Sequence, residues 1–230
     1  MTVQLPLGLA LNDSATFANY FPQPNAAAVH ALHACAAGAE PAVVYLWGAP
    51  DTGRTHLLQA ACHAAAAGGR AVAYLPLAGA DELQPEMLDG LEAMALVCLD
   101  DVERIAGLQP WEMALFSLFN RLRELGGHLA VSARRRPQDL GLRLPDLVSR
   151  LGWGAVFRLR PLDDDQKLAA LTLRARGRGL ELPPEAGRYL MRRCARDMGA
   201  LYGLLERLDH ASLAAQRRLT VPFIKATLGE

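Results

Sequence analysis

The sequence has little lysine, no long apolar run and few cysteines, and each shortage excludes a class of protein. Lysine occurs only at Lys167 and Lys225, so no lysine side chain is available for chemistry earlier in the chain. No stretch reaches the roughly 18 uninterrupted apolar residues that span a membrane, and no basic segment followed by an apolar one suggests a secretory signal. The four cysteines lack CxxC spacing, which argues against a zinc site or a disulfide framework. We therefore expect a cytoplasmic protein with reduced thiols.

The charge of the chain sums to zero but is unevenly distributed. Residues 1–130 carry 5 basic and 13 acidic side chains, whereas residues 131–230 carry 19 basic and 11 acidic ones. Zero net charge excludes a strongly basic protein that coats nucleic acid. The asymmetry suits docking to a second macromolecule, and an arginine-rich solvated surface explains it equally well. The 51% of hydrophobic residues is ample for a packed core.

Short apolar runs alternate with helical patterns over the first 160 residues. This alternation predicts βαβ units and a mostly parallel sheet covered on both faces. The predicted strands cover residues 42–47, 71–75, 95–99, 129–131 and 155–157. After Pro161 only helical patterns follow, and Asp163 to Asp165 are placed to cap the first of these helices. We therefore predict a boundary near residue 161, between an α/β domain and a small helical domain.

A glycine-rich loop follows the first predicted strand and opens a helix. Residues 48–55 match the phosphate-loop pattern GxxxxGK[ST], except that Arg54 stands in place of the lysine. Backbone N–H groups and a helix N-terminus bind phosphate oxygens in such loops, and the Thr55 hydroxyl would bind Mg²⁺. Arginine keeps the charge but has a longer, forked side chain. The loop predicts phosphate binding with weakened γ-phosphate chemistry, and the alternative is a loop that has lost its ligand.

Two carboxylates, Asp100 and Asp101, follow the third predicted strand. A carboxylate at this place in a P-loop protein holds Mg²⁺ and helps to orient water. The alternative is that Asp100 merely caps the next helix. Together with the glycine-rich loop, the pair favours a metal site formed by Thr55 and Asp100.

Motifs along nearly the whole chain resemble the AAA+ ATPase domain of the bacterial initiator DnaA. More narrowly, they resemble the DnaA-homologous regulatory inactivators. The motifs that carry the resemblance lie at residues 46–47, 53–58, 96–100, 105–107, 111–114, 144–147, 149–154, 174–176 and 214–217.

The resemblance implies an AAA+ P-loop domain with a five-stranded mostly parallel sheet and a small all-helical lid domain. It also implies an adenine nucleotide, with ADP expected and Mg²⁺ as a companion. The implied nucleotide-binding residues are Gly48, Gly53, Arg54, Thr55, His56, Asp100, Asp101 and Ser132, with Phe17, Tyr20 and Asn25 near the base.

Two further roles come from the resemblance. Arg150 stands where the family carries an arginine finger, which would act in trans on ATP bound to DnaA. The N-terminal segment resembles the peptide that binds the DNA polymerase III sliding clamp (beta subunit), through Gln4, Leu5, Leu7 and Leu9. The expected organisation is a clamp-binding peptide at 1–12, an AAA+ domain at 13–161 and a lid at 162–230. The expected function is regulatory inactivation of DnaA, a negative control of replication initiation.

The sequence also departs from the family pattern. Arg134 stands where the family commonly has an aspartate, and Gly199 stands where the lid carries a sensor arginine, unless Arg196 substitutes. With Arg54, these changes predict inefficient ATP hydrolysis by the chain itself. The competing hypothesis is an autonomous ATPase of the clamp-loader or helicase-loader type. Self-association is expected of an AAA+ edge, and any contact with DNA is expected to be indirect or weak.

Overall fold

The computed structural model describes residues 15–79, 83–193, 197–215 and 218–229. The described residues divide into two compact units, one within residues 15–18 and 24–160, the other within residues 19–23 and 161–229. Within the described part of the chain, no helix is both long and apolar enough to cross a membrane.

The first unit is built on a five-stranded sheet in the order β2-β3-β4-β1-β5. All its paired strands run parallel. The strands are β1 Val43–Trp47, β2 Val72–Pro76, β3 Leu96–Asp100, β4 His128–Ala133 and β5 Ala155–Arg158. Every residue of β3 and β4 is buried, as expected for inner strands of a parallel sheet covered on both faces. The predicted sheet is confirmed.

Four helices belong to this unit: α1 Ala26–Ala37, α2 Arg54–Ala67, α3 Gln109–Glu124 and α4 Pro145–Trp153. The sequence predicts helices over residues 54–67, ended by the two glycines at 68 and 69, and over residues 111–125. The bounds of α2 agree with the first prediction, and α3 begins two residues earlier than the second predicts. On α3, Leu115, Leu118 and Leu122 join the hydrophobic core of the sheet. Their spacing of three or four residues places them on one face of the helix.

The second unit is helical, with α5 Asp164–Gly177, α6 Pro184–Arg193, α7 Met198–Ala215 and α8 Val221–Leu228. Asp163 caps α5 as predicted, because its carboxylate accepts the N–H of Gln166 at 2.8 Å. The Gln166 side chain accepts the N–H of Asp163 in return, which completes a capping box. Leu171, Leu205 and Ile224 are completely buried in the core of this unit.

The parallel sheet determines where the candidate site lies. The carboxyl ends of all five strands meet at one edge, and β4 lies between β1 and β3. The loops that follow these three strands therefore lie side by side. This edge is where open α/β sheets bind their ligands.

Candidate functional site

The loop between β1 and α2 has the backbone form of an anion-binding turn. Asp51 and Gly53 both adopt left-handed conformations, with φ of 62° and 86°. The Thr52 hydroxyl donates to the carbonyl oxygen of Ala49 at 2.9 Å and ties the loop to itself. Gly53 is the N-cap of α2 and has no side chain that would cap the helix. The first N–H groups of α2 therefore remain suited to bind an anion.

Gly48 has a packing role in this loop. A Cβ atom at this position would lie 2.8 Å from the carbonyl oxygen of Leu159 and 3.1 Å from the Thr52 hydroxyl oxygen. The neighbouring Trp47 carbonyl accepts the N–H of Leu159 at 2.7 Å. Glycine at 48 thus permits a close approach of two chain segments, whether or not phosphate is bound.

Arg54, the residue in place of the loop lysine, faces the acidic side chains that follow β3. Its side chain is only 9% exposed, and its Nη2 lies 3.1 Å from Oδ1 of Asp101. Its Nη1 lies 3.8 Å from Oε1 of Glu103 and, within the described residues, has no hydrogen-bond acceptor. Charge attraction, more than directed hydrogen bonds, therefore holds this guanidinium against the two carboxylates.

Asp100 is fully engaged by protein donors at the end of β3. It is 3% exposed, and its Oδ2 accepts the hydroxyl of Tyr74 at 2.9 Å. Its Oδ1 accepts the hydroxyl of Ser132, and that hydroxyl oxygen accepts the N–H of Asp101 at 3.0 Å. Burial raises the pKa of Tyr74 well above its ordinary value, and the adjacent Asp100 carboxylate raises that pKa further. Tyr74 therefore stays protonated and keeps donating to Asp100.

A second arginine, Arg134, lies against the same group of carboxylates. Nε of Arg134 lies 3.2 Å from Oε1 of Glu103, and the backbone N–H of Arg134 donates to Oε2 at 3.2 Å. The backbone of Asp101 is left-handed, with φ of 59°. Aspartate and asparagine tolerate this conformation better than most residues do. We call Asp100, Asp101 and Glu103 the acidic cluster, and Arg54 and Arg134 lie against it.

The side chains as arranged do not fit a divalent cation at Thr55 and Asp100. Both oxygens of Asp100 already accept hydrogen bonds from the protein. The other two carboxylates of the acidic cluster lie against guanidinium groups. Thr55 is exposed on the first turn of α2. Within the described residues, no three His, Cys, Asp or Glu side chains are grouped to hold a metal ion.

His56 and Asn25, two other residues of the predicted nucleotide site, contact backbone of their own unit. Nε2 of His56 lies 2.9 Å from the carbonyl oxygen of Thr16. Asn25 is buried, and its amide oxygen accepts the N–H of Arg160 at 2.8 Å. Its amide nitrogen donates to the carbonyl oxygen of Arg160 at 3.1 Å. Both side chains thus tie distant segments of the first unit together.

The two aromatic residues predicted near the base lie in different compact units. The Phe17 ring packs on His33, with ring centroids 5.2 Å apart. Tyr20 belongs to the segment 19–23, which is part of the second unit.

Arg150 lies in the last turn of α4, whereas the residues of the acidic cluster follow β3. Its guanidinium carbon is 5.9 Å from the ring centroid of Trp153, and that of Arg123 is 4.0 Å from the same centroid. The Trp153 side chain is 60% exposed. We call these three residues the Trp153 patch.

The remaining predicted residues divide into two groups. Gly199 lies exposed in the first turn of α7. Arg196 and the predicted clamp-binding residues Gln4, Leu5, Leu7 and Leu9 lie outside the described residues.

Sequence reasoning missed Tyr74 and Glu103, which contact the predicted residues directly. Glu103 follows Asp101 by two positions, and this closeness in sequence could have indicated that Glu103 belongs to the site. Tyr74 could be assigned only from the strand order, because β2 pairs with β3 and places the two residues near each other.

Comparison with known proteins identifies the family. The family model of the bacterial DnaA ATPase domain matches residues 11–158. The chain belongs to the bacterial DnaA ATPase domain family. The second unit is similar to a more specific group of proteins, because the family model of the Hda lid domain matches residues 164–228 of this DnaA-family chain. The predicted AAA+ family and fold are thereby confirmed.

Solved structures agree with the DnaA-type fold. Domain III of the DnaA replication initiation protein from Thermotoga maritima is 22% identical, with a TM-score of 0.77, and the match covers 96% of this chain and 98% of that one. A replication initiator DnaA bound to AMPPCP and single-stranded DNA is 24% identical, with a TM-score of 0.73, over 90% of this chain and 69% of that one. The RuvB Holliday junction branch migration motor of Thermotoga maritima is 18% identical, with a TM-score of 0.65, and the match covers 89% of this chain and 67% of that one.

Proposed function

We propose that this DnaA-family chain is a negative regulator of replication initiation. It stimulates hydrolysis of ATP bound to DnaA, and Arg150 supplies the arginine finger in trans. It docks on the DNA-loaded sliding clamp through the N-terminal segment that contains Gln4, Leu5, Leu7 and Leu9. The combination of a DnaA ATPase domain with an Hda-type lid supports this proposal over an autonomous motor.

The contrast between Arg54 and Arg150 carries the proposal. Arg54, beside the chain's own phosphate loop, is buried against Asp101 and Glu103. Arg150 is partly exposed near the end of a helix. Within the described residues, it pairs with no carboxylate and contacts the face of an exposed tryptophan. Of these two arginines, Arg150 is the better placed to reach a neighbour's triphosphate, and this supports the proposal.

The chemistry of such a contact is electrostatic. Water attacks the γ-phosphorus of ATP on DnaA, the bond to the bridging β–γ oxygen breaks, and negative charge spreads over the transferred group. A guanidinium placed against those oxygens stabilises the transition state more than the ground state. Arginine fingers supplied in trans accelerate hydrolysis by about 10³–10⁵-fold in other nucleotide hydrolases.

An adenine nucleotide, with ADP as our choice, would bind the loop that precedes α2. The left-handed Asp51 and Gly53 and the uncapped start of α2 support phosphate binding there. The similar DnaA structure bound to AMPPCP supports the choice of an adenine nucleotide. In this proposal the bound nucleotide has a structural role, since Arg54 and Arg134 occupy the acidic cluster that hydrolysis would require.

Phosphate release from ATP-loaded DnaA, in the presence of DNA-loaded clamp, tests the role of Arg150. We expect the chain to accelerate release and Arg150→Ala to reduce the acceleration by about 1,000-fold or more, as removal of an arginine finger does. Arg188→Ala, at an exposed arginine of α6, should retain it. Normal acceleration by Arg150→Ala would refute the assignment. Rapid ATP hydrolysis by the chain without DnaA would favour the autonomous ATPase.

A pull-down with purified sliding clamp tests the docking peptide. An extended segment with a glutamine and spaced leucines can bind a groove on its partner. The double variant Gln4→Ala, Leu7→Ala should lose clamp binding with an unchanged circular dichroism spectrum. The matched double variant Asn12→Ala, Asp13→Ala should bind normally. Retained binding by the first variant would exclude the peptide.

A further inference from the structure

The acidic cluster already has its positive charge from the protein. In P-loop nucleotide sites, a divalent cation neutralises phosphate charge and is held partly by a carboxylate at a strand end. Here Arg54 lies against Asp101, Arg134 lies against Glu103, and Asp100 accepts two hydroxyl donors. Three carboxylates therefore face two guanidinium groups and two hydroxyl groups of the same chain.

We propose that this site binds a nucleoside diphosphate without a divalent cation, and that Arg54 takes the place of the metal. The inference rests on nucleotide binding as stated under Proposed function and concerns the form of nucleotide that this loop accepts. Arg54 exchanges its contact with Asp101 for one with the phosphate groups when the nucleotide binds.

A divalent cation would enter this arrangement at a cost. At Asp100 it would have to share oxygens that already accept the hydroxyls of Tyr74 and Ser132, on a side chain that is only 3% exposed, and it would weaken these buried hydrogen bonds. At Asp101 it would lie beside the guanidinium of Arg54, only 3.1 Å from the same carboxylate oxygen. The cation and the guanidinium would then carry positive charge against the same carboxylate and repel each other.

Arg54 is suited to the exchange by its position and its present contacts. It is the first residue of α2, so its side chain begins where helix N–H groups attract an anion. Its Nη1 is buried and, within the described residues, lacks a hydrogen-bond acceptor. The contact of Nη1 with Glu103 is long, at 3.8 Å. Phosphate oxygens would provide the acceptor that this guanidinium lacks, in the forked geometry that arginine favours.

Calorimetric titration of the full chain with ADP, in EDTA and in excess MgCl₂, tests the inference. We expect ADP to bind in EDTA with a Kd no more than about twofold above the value in MgCl₂. A Kd about tenfold or more weaker in EDTA would overturn the inference and leave nucleotide binding intact. Absence of binding in both buffers would overturn the nucleotide site of the proposed function as well.

Two variants should move ADP binding in opposite directions. Asp101→Asn keeps the shape and the left-handed backbone but removes the charge that competes for Arg54, so the Kd in EDTA should fall about threefold or more. Arg54→Lys replaces the fork with a compact ammonium, so the Kd in EDTA should rise and MgCl₂ should restore binding. Arg104→Lys, at an exposed arginine of the same loop, should bind like the wild type in both buffers. Weaker binding by Asp101→Asn in EDTA would contradict the exchange.

Discussion

The carboxylate of Glu112 accepts the backbone N–H of Leu144 at 2.8 Å, and this contact ties α3 to the start of α4. Glu112 also accepts the N–H groups of Gly107 and Arg143, and its side chain is 1% exposed. Leu144 is the N-cap residue of α4. One buried side chain thus fixes the beginning of the helix that carries Arg150.

Glu112→Gln should destabilise the first unit. The amide places an NH₂ group against backbone N–H donors that now meet a carboxylate oxygen, so at least one buried donor loses its acceptor. Such a loss costs about 1–3 kcal/mol, and we expect urea unfolding to show a decrease in that range. Glu124→Gln, at the exposed end of the same helix, should stay within about 0.5 kcal/mol of the wild type. An unchanged midpoint for Glu112→Gln would show that the bonds contribute little.

The Trp153 patch provides a second prediction, which concerns function more than stability. Arg123 and Arg150 both lie over the indole of Trp153, and an exposed cation–π contact contributes about 0.5–1 kcal/mol. Trp153→Ala removes two such contacts and should therefore lower the free energy of unfolding by at most about 2 kcal/mol. It should also reduce stimulation of DnaA about two- to fivefold, because a loss of about 0.5–1 kcal/mol in positioning Arg150 corresponds to that factor.

Trp153→Phe is the matched control for this patch, since it keeps an aromatic face for both guanidinium groups. It should retain most of the stimulation measured as phosphate release. Equal losses in Trp153→Ala and Trp153→Phe would show that the indole contacts DnaA itself and does not position Arg150.

Sequence reasoning found the elements that have strong local patterns. The inner strands of a parallel sheet are continuous apolar runs, so β1 and β3 were evident, and the glycine pair that follows α2 marked its end. It missed α1, Ala26–Ala37, because alanine is abundant on all sides of this helix and no side chain caps its start. A helix without a distinct polar face has a weak periodic pattern.

The contacts of the site could be predicted only in part. Parallel strands bring the ends of β1, β3 and β4 together, so the proximity of the loop, Asp100 and Ser132 follows from the fold. The direction of the Arg54 side chain does not follow from the fold, because its partners Asp101 and Glu103 belong to a different loop, which comes after β3. Asn25 shows the same limit, since its partner Arg160 is 135 residues away in sequence.

Close packing at Gly154 yields a third prediction. A Cβ atom there would lie 2.3 Å from the carbonyl oxygen of Val43, and backbone at the edge of a central strand cannot move aside easily. Gly154→Ala should lower the free energy of unfolding by about 1–3 kcal/mol, as overpacking does. Gly152→Ala is the control, two residues earlier within α4, where a Cβ would lie 3.5 Å from the Gln138 amide nitrogen, an ordinary contact. That variant should be neutral or stabilised by up to about 1 kcal/mol.

The last prediction concerns His128, at the start of β4. Burial lowers the pKa of this buried imidazole below its ordinary value of 6.5, and the nearby Arg70 guanidinium lowers it further, although Glu40 and backbone hydrogen bonds act in the opposite direction. Nη2 of Arg70 lies 3.2 Å from Nδ1 of His128, so a proton on Nδ1 would place two donors face to face. The folded state therefore favours the neutral imidazole.

The sign of the pH effect follows from this preference. In the unfolded chain, His128 takes up a proton near pH 6.5. In the folded state the pKa is lower, so protonation there needs a lower pH. The folded state is therefore fully stable above pH 6.5 with respect to His128, and it loses stability as the pH falls below that value. His128→Gln leaves a carbonyl to accept from Arg70 and removes the titration. Between pH 7.5 and pH 5.5, the Tm of the wild type should therefore decrease more than that of His128→Gln, by differential scanning fluorimetry. His30→Gln, at an exposed position of α1, should follow the wild type; parallel curves for wild type and His128→Gln would contradict a neutral His128 in the fold.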